Sequence, residues 1–166
     1  MSVIFCSSLS QDHSLMALEE IPQFEAKDQD GNVISNNTLL GKPSVIFFYP
    51  KNFTAGCTKE ACAFRDAYQD LEDVGATVIG VSKDDAESHQ KFREQYNLPY
   101  QSIPDHDNKL AKLFGVKRDL FGLIPGRETY VFDSKGRLIL QFRSQLKFDD
   151  HVQEAITAIQ ESLKNV

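Results

Sequence analysis

Cys57 and Cys62 stand five residues apart in YPKNFTAGCTKEACAFRD, residues 49–66. Thiols are the strongest nucleophiles a protein chain offers, and the thiolate is the reactive form. The spacing is too wide for a CxxC redox pair and does not match a zinc pair. Cys57 falls where an apolar run, PSVIFFYP, stops and a helical pattern starts. Unpaired N–H groups and the positive end of the dipole favour an anion at a helix start. The alternative for Cys57 is a small packed hydrophobe. For Cys62 it is one core position of an amphipathic helix.

On an intact helix, residues five apart differ by about 140° and about 7.5 Å of rise, which puts their Cα atoms roughly 8–9 Å apart. A disulfide needs Cα atoms within about 7 Å. The two thiols therefore cannot bond until the first turns unwind. This spacing suits a switch, not a staple.

Four other residues have plain structural readings: Thr54 as an N-cap, Pro50 as the end of a strand, Glu60, three residues after Cys57, as a first-turn acid that favours the dipole, and Arg127, in GRETYVFD, as a surface charge at a strand start.

Strands and helices must position these groups. FEAKDQDGNVIS reads as two short strands about a turn at Asp30-Gly31-Asn32. NTLLGK is a helical turn ended by Gly41. PSVIFFYP is a buried central strand. TKEACAFRDAYQDLEDVG is one helix closed by Gly75, and ATVIGVS is the next buried strand. DDAESHQKFREQYN is a helix capped by Asp84 or Asp85, YQSIPD a short strand and NKLAKLFGV a short helix. RETYVFD and RLILQF form a hairpin across Ser134-Lys135-Gly136. The last helix presents Val152, Ala155, Ile156, Ile159 and Leu163 on one face, with Asp149 and Asp150 as caps. Strands alternating with helices mean α/β layers. The terminal hairpin makes the sheet mixed. The expected fold is a thioredoxin-like three-layer sandwich, a central mixed sheet flanked by helices with an extra N-terminal hairpin. Chemistry in such open sheets sits beyond the carboxyl ends of strands, where Cys57 falls.

The 166 residues make one domain, expected over 19–166, behind a polar extension over 1–18. A net charge of −6 excludes nucleic acid as the main partner. No apolar run is long enough to span a membrane. Three cysteines, including Cys6 in the extension, are too few and too odd for a secreted disulfide scaffold. The extension lacks an h-region and Arg, so the expected location is the cytoplasm, with the plastid stroma the alternative if a transit peptide is missing from this chain. His13, His89, His106 and His151 show no ligand spacing, GKPS lacks the upstream glycine of a phosphate loop, and DQDG lacks the closing Glu of a calcium loop. No metal and no cofactor are expected.

The segment around Cys57 resembles the active-site stretch of peroxiredoxins, Pro-x-x-x-Thr-x-x-Cys, matched by Pro50, Thr54 and Cys57. A second Cys five residues on resembles the peroxiredoxin Q, or bacterioferritin comigratory protein, branch. DQDG, GATVIGVS, KLFGV and LFGLIPGRETYVFD resemble further stretches of that branch, the last most like cyanobacterial and plastid members. The likeness runs from about residue 18 to 163. Ala55 departs from the Pro often found there. The resemblance implies a thiol-dependent peroxidase for hydrogen peroxide and organic hydroperoxides. Cys57 would be the peroxidatic nucleophile and Cys62 the resolving thiol of an intramolecular disulfide. Thr54 would bond the thiolate and the peroxide, Pro50 would exclude water, and Arg127 would sit beside the thiolate with Glu60 orienting it. Thioredoxin or a similar dithiol would be the reductant, and the chain would be a monomer. Two other readings share this fold: a general thiol–disulfide oxidoreductase, disfavoured by the missing CxxC, and a non-enzymatic binding module with structural cysteines.

Overall fold

The computed structural model describes residues 18–123 and 125–165. Cys6, His13 and nearly all of the expected extension lie outside the described residues. Strands β1 (Glu25–Lys27) and β2 (Val33–Ser35) pair antiparallel. Buried Asp28 makes their turn by accepting the backbone N–H groups of Asp30 and Asn32, and Gly31 takes a φ of 85°, which glycine adopts without a Cβ clash. Helix α1 (Asn36–Leu39) starts on a reciprocal Ser35–Thr38 capping pair. Then come β3 (Ser44–Phe48), α2 (Ala55–Asp66), α3 (Tyr68–Asp73), β4 (Thr77–Ser82) and α4 (Ala86–Tyr96). The chain ends with β5 (Gln101–Pro104), α5 (Lys109–Phe114), β6 (Glu128–Phe132), β7 (Leu138–Arg143) and α6 (Phe148–Lys164).

The main sheet has the order β5-β4-β3-β6-β7. Strand β3 is central, parallel to β4 and antiparallel to β6, so the sheet is mixed as expected. All five β3 residues are buried because helices cover both faces. The alternation of a strand divides them between two cores. Val45 and Phe47 join Phe64, Leu71, Phe92, Val152 and Ile159, from α2, α3, α4 and α6. Ile46 and Phe48 join Ile34, Leu39, Leu110 and Phe114, from the N-terminal hairpin, α1 and α5. Phe64 stacks on Phe47 at 4.3 Å between ring centroids, which ties α2 to the central strand. Burying one such ring contributes about 1.5–3 kcal/mol.

Three local expectations are corrected, and one left between two residues is resolved. The single helix expected after Thr58 starts earlier, at Ala55, and divides at Ala67, whose φ of −94° and ψ of 5° lie outside the helical well. Its buried stripe of Cys57, Ala61, Phe64 and Leu71 nevertheless continues across the break. Asp85, not Asp84, caps α4 by accepting the Ser88 N–H; Asp84 is spent on the Cys loop. Asp149 and Asp150 do not cap α6. Its N-cap is Lys147, and the two acids sit in the first turn, where they complement the dipole. Leu163 is 50% exposed, because α6 outlasts the surface it packs on after Ile159.

Candidate active site

The site lies where β3 hands over to α2. Thr54 takes the N-cap position with extended backbone, followed by Ala55, Gly56 and Cys57. Cys57 is thus in the first helical turn, among N–H groups that have no intrahelical acceptor. The loop before it is fixed to α4. The Asn52 N–H donates to Asp84 Oδ2 at 2.8 Å, its side-chain amide donates to Ser88 Oγ at 3.2 Å, and the Tyr49 hydroxyl donates to Asn52 Oδ1 at 2.6 Å. Phe53, at φ 65°, meets Phe92 edge-on. Half-buried Pro50 lines a cavity of about 90 Å³ together with Pro125 and Gly126.

Sheet register delivers the guanidinium. Phe48 pairs with Glu128, so Arg127, one residue earlier, reaches the carboxyl end of β3. Its Nη2 donates to Cys57 Sγ at 3.3 Å, and both residues are almost fully buried. Arg127 Nη1 lies 3.4 Å from Glu60 Oε1, an ion-pair distance without hydrogen-bond alignment. Among the described residues, neither Glu60 oxygen and neither Nε nor Nη1 of Arg127 has a hydrogen-bond partner. Burial pushes the Glu60 carboxyl up to about 8, and the Arg127 charge reverses only part of that. Glu60 is therefore mostly neutral at pH 7 and leaves the Arg127 charge uncancelled beside the thiol.

Two residues of α6, not foreseen as site residues, complete the enclosure. His151 is fully buried, 3.5 Å from Glu60 Oε2. Burial first, and the Arg127 charge after it, holds its imidazole down to about 4, so it is neutral. Its Nε2–H then donates to the Ser144 carbonyl at 2.8 Å, and Nδ1 accepts from the Thr129 hydroxyl at 2.8 Å. The Phe148 ring lies under the guanidinium, 5.0 Å from Arg127 Cζ to the ring centroid. A Cβ on Gly56 would come 3.0 Å from Phe148 Cζ and 3.3 Å from Arg127 Nη2, so the residue before Cys57 must be small. The only sequence signal for His151 was a polar residue beside the apolar face of the last helix. Phe148 carried none.

The structure thus brings Cys57, Glu60 and Arg127 into contact. Cys62 lies about one and a half turns further along α2 and is half-buried; it is free, as is buried Cys57. Burial raises the Cys62 thiol, against the charge of Arg65. Thr54 is exposed, and its hydroxyl donates to the Lys51 carbonyl at 2.8 Å rather than to Cys57 or to the helix start. Chemically the arrangement is a buried sulfur nucleophile with one cationic N–H donor on it and a second thiol on the same helix. Among the described residues no group of three or more His, Cys, Asp or Glu side chains is placed to hold a metal ion. No described helix is long and apolar enough to cross a membrane.

The AhpC/TSA family profile matches residues 18–141. The chloroplastic peroxiredoxin Q of Populus jackii is 46% identical over 139 residues, covering 84% of this chain and 65% of that protein. The chloroplastic peroxiredoxin Q of Sedum lineare is 46% identical over 143 residues, covering 86% of this chain and 76% of that protein. The chain spans only about 65% of the length of several of these curated relatives. Among solved structures, peroxidoxin BcpB from Mycobacterium tuberculosis superposes with a TM-score of 0.78 at 33% identity, covering 88% of this chain and 98% of that one. Xanthomonas campestris peroxiredoxin Q superposes with a TM-score of 0.76 at 25% identity, covering 83% and 90%. The three-layer sandwich is therefore the thioredoxin-like fold of these proteins, with the β1–β2 hairpin added to it. By sequence and by structure, the chain belongs to the AhpC/TSA family, in its peroxiredoxin Q branch.

Proposed function

We propose that this chain is a thiol peroxidase that cycles through a Cys57–Cys62 disulfide. The observation that carries the reading is the Arg127 Nη2 donor 3.3 Å from buried Cys57 Sγ, with Cys62 free on the same helix. The Cys57 thiolate attacks one oxygen of a hydroperoxide. The S–O bond forms as the O–O bond breaks, the alcohol or water leaves with a proton, and Cys57 becomes a sulfenic acid. Arg127 stabilises first the thiolate and then the charge growing on the leaving oxygen. Glu60 orients Arg127 without neutralising it. Pro50 shields the sulfur, and the Thr54 hydroxyl turns from the Lys51 carbonyl to bond the peroxide.

Cys62 then attacks the sulfenic sulfur. The S–S bond forms and hydroxide leaves as water. The intact helix separates the thiols too far for this bond, so the start of α2 unwinds first. A dithiol of the thioredoxin class returns two electrons and two protons to the disulfide. Hydrogen peroxide and organic hydroperoxides are the substrates, and the chain acts as a monomer in a reducing compartment. The chloroplastic relatives support a plastid stroma alongside the cytoplasm.

Peroxide consumption with a dithiol donor tests the reading. Cys57→Ser abolishes turnover, whereas Cys62→Ser completes one turnover and then stalls or depends on an outside thiol. A Cys57→Ser variant that still consumes peroxide would overturn it.

A further inference from the structure

The guanidinium of Arg127 is under-determined by hydrogen bonds. Only Nη2 has a hydrogen-bond acceptor among the described residues, Cys57 Sγ; Nε and Nη1 have none, and the Glu60 contact is long and unaligned. One aligned bond and one unaligned ion-pair contact leave the plane of the group incompletely fixed by polar partners. What it does have is a surface to lie on. The Phe148 ring is 5.0 Å from Cζ, within the range in which an aromatic face attracts a cation. Phe148 is also the only aromatic residue in a first turn that continues with Asp149 and Asp150 after Lys147. Its Cζ lies 3.0 Å from where a Cβ on Gly56, one residue before Cys57, would stand, and the same ring borders the groove that holds Cys62.

We propose that Phe148 is a positioning residue for the peroxide-reducing step: sandwiched between Gly56 and Arg127, its ring holds the guanidinium against Cys57. The inference rests on the peroxidase reading, and it adds to that reading a residue 91 positions from the nucleophile on another helix. When the start of α2 unwinds to let Cys62 reach Cys57, the ring loses one of the two surfaces it bridges. The same residue thereby favours the helical, peroxide-reactive form over the unwound, disulfide-forming one.

The test uses the full, reduced chain and the variants Phe148→Leu, Phe148→Tyr and Gly56→Ala. Two rates are followed by peptide mass mapping at pH 7: alkylation of Cys57 by iodoacetamide, and its oxidation by hydrogen peroxide. Phe148→Leu keeps apolar bulk and loses the aromatic face, so both rates fall by about 3- to 10-fold. Phe148→Tyr keeps the face and restores most of the rate. Gly56→Ala keeps the ring but crowds both it and Arg127 Nη2, and slows both steps, which reads the packing of ring and guanidinium together if the leucine variant folds poorly. Wild-type or faster alkylation in both Phe148→Leu and Gly56→Ala overturns the proposal. So does equal slowing in Phe148→Leu and Phe148→Tyr at equal Tm. A wild-type Cys57 that peroxide leaves untouched counts against the peroxidase reading alone, because the alkylation series still decides the role of Phe148.

Discussion

Replacing Glu60 with Gln should remove a defined pH dependence from the stability of the reduced protein. Folded Glu60 keeps its proton to about pH 8, whereas in the unfolded chain it titrates near the ordinary 4.5. Between those values the folded state binds one more proton than the unfolded state. Stability from this group is therefore complete below 4.5 and is lost as pH rises through 8, at about 1.36 kcal/mol per pH unit. His151 runs the other way. Its folded value of about 4 lies below the ordinary 6.5, so its contribution is complete above 6.5 and is lost as pH falls toward 4. The two slopes cancel between 4.5 and 6.5, which leaves Glu60 acting alone above 6.5. From pH 6.5 to 8, wild type should lose roughly 2 kcal/mol that Glu60→Gln does not lose. Urea unfolding of both proteins at three pH values in that interval measures the difference directly. Parallel stability curves for wild type and Glu60→Gln would refute the buried, protonated carboxyl and, with it, the uncancelled charge on Arg127.

Two further outcomes follow from the geometry. Arg127→Met removes the Nη2 donor from Cys57 and should slow Cys57 oxidation on the order of 100-fold, the loss typical of one preset donor; NMR titration should also show the His151 value rise, since the Arg127 charge helps hold it down. Gly126→Ala places a Cβ 1.9 Å from the Lys117 carbonyl oxygen, so the backbones at Lys117 and Gly126 must move apart, at a cost of about 1–3 kcal/mol; calorimetry should show a lower Tm, and the peroxide step should slow because Arg127 is the next residue.

The parts of this architecture with a local signature were readable from sequence. The apolar run 43–50 could only be a central strand, and the helix after it put Cys57 in or just before a first turn. Arg127 was suggested by family likeness, but the reason it arrives is register: Phe48 opposite Glu128. Long-range packing was not readable. Phe148 and His151 come from α6, and nothing in their neighbours' spacing says that they meet Arg127 and Glu60. Periodicity also misled at both ends of α6. It gave Leu163 a place in the core because it cannot show where the covered surface stops, and it treated Asp149 and Asp150 as caps although the chain enters the helix at Lys147. Thr54 illustrates a finer limit. Motif spacing placed it beside the thiol, but the acceptor its hydroxyl uses, the Lys51 carbonyl, depends on loop conformation.

The most direct test is the intact mass of the reduced chain before and after one equivalent of hydrogen peroxide, followed by thiol alkylation and peptide mapping. The account predicts loss of two hydrogens, located to a Cys57–Cys62 bond, with a drop in helical circular dichroism as the start of α2 unwinds. Stable oxygen addition at Cys57 with Cys62 still free, or two unreacted thiols, would contradict it.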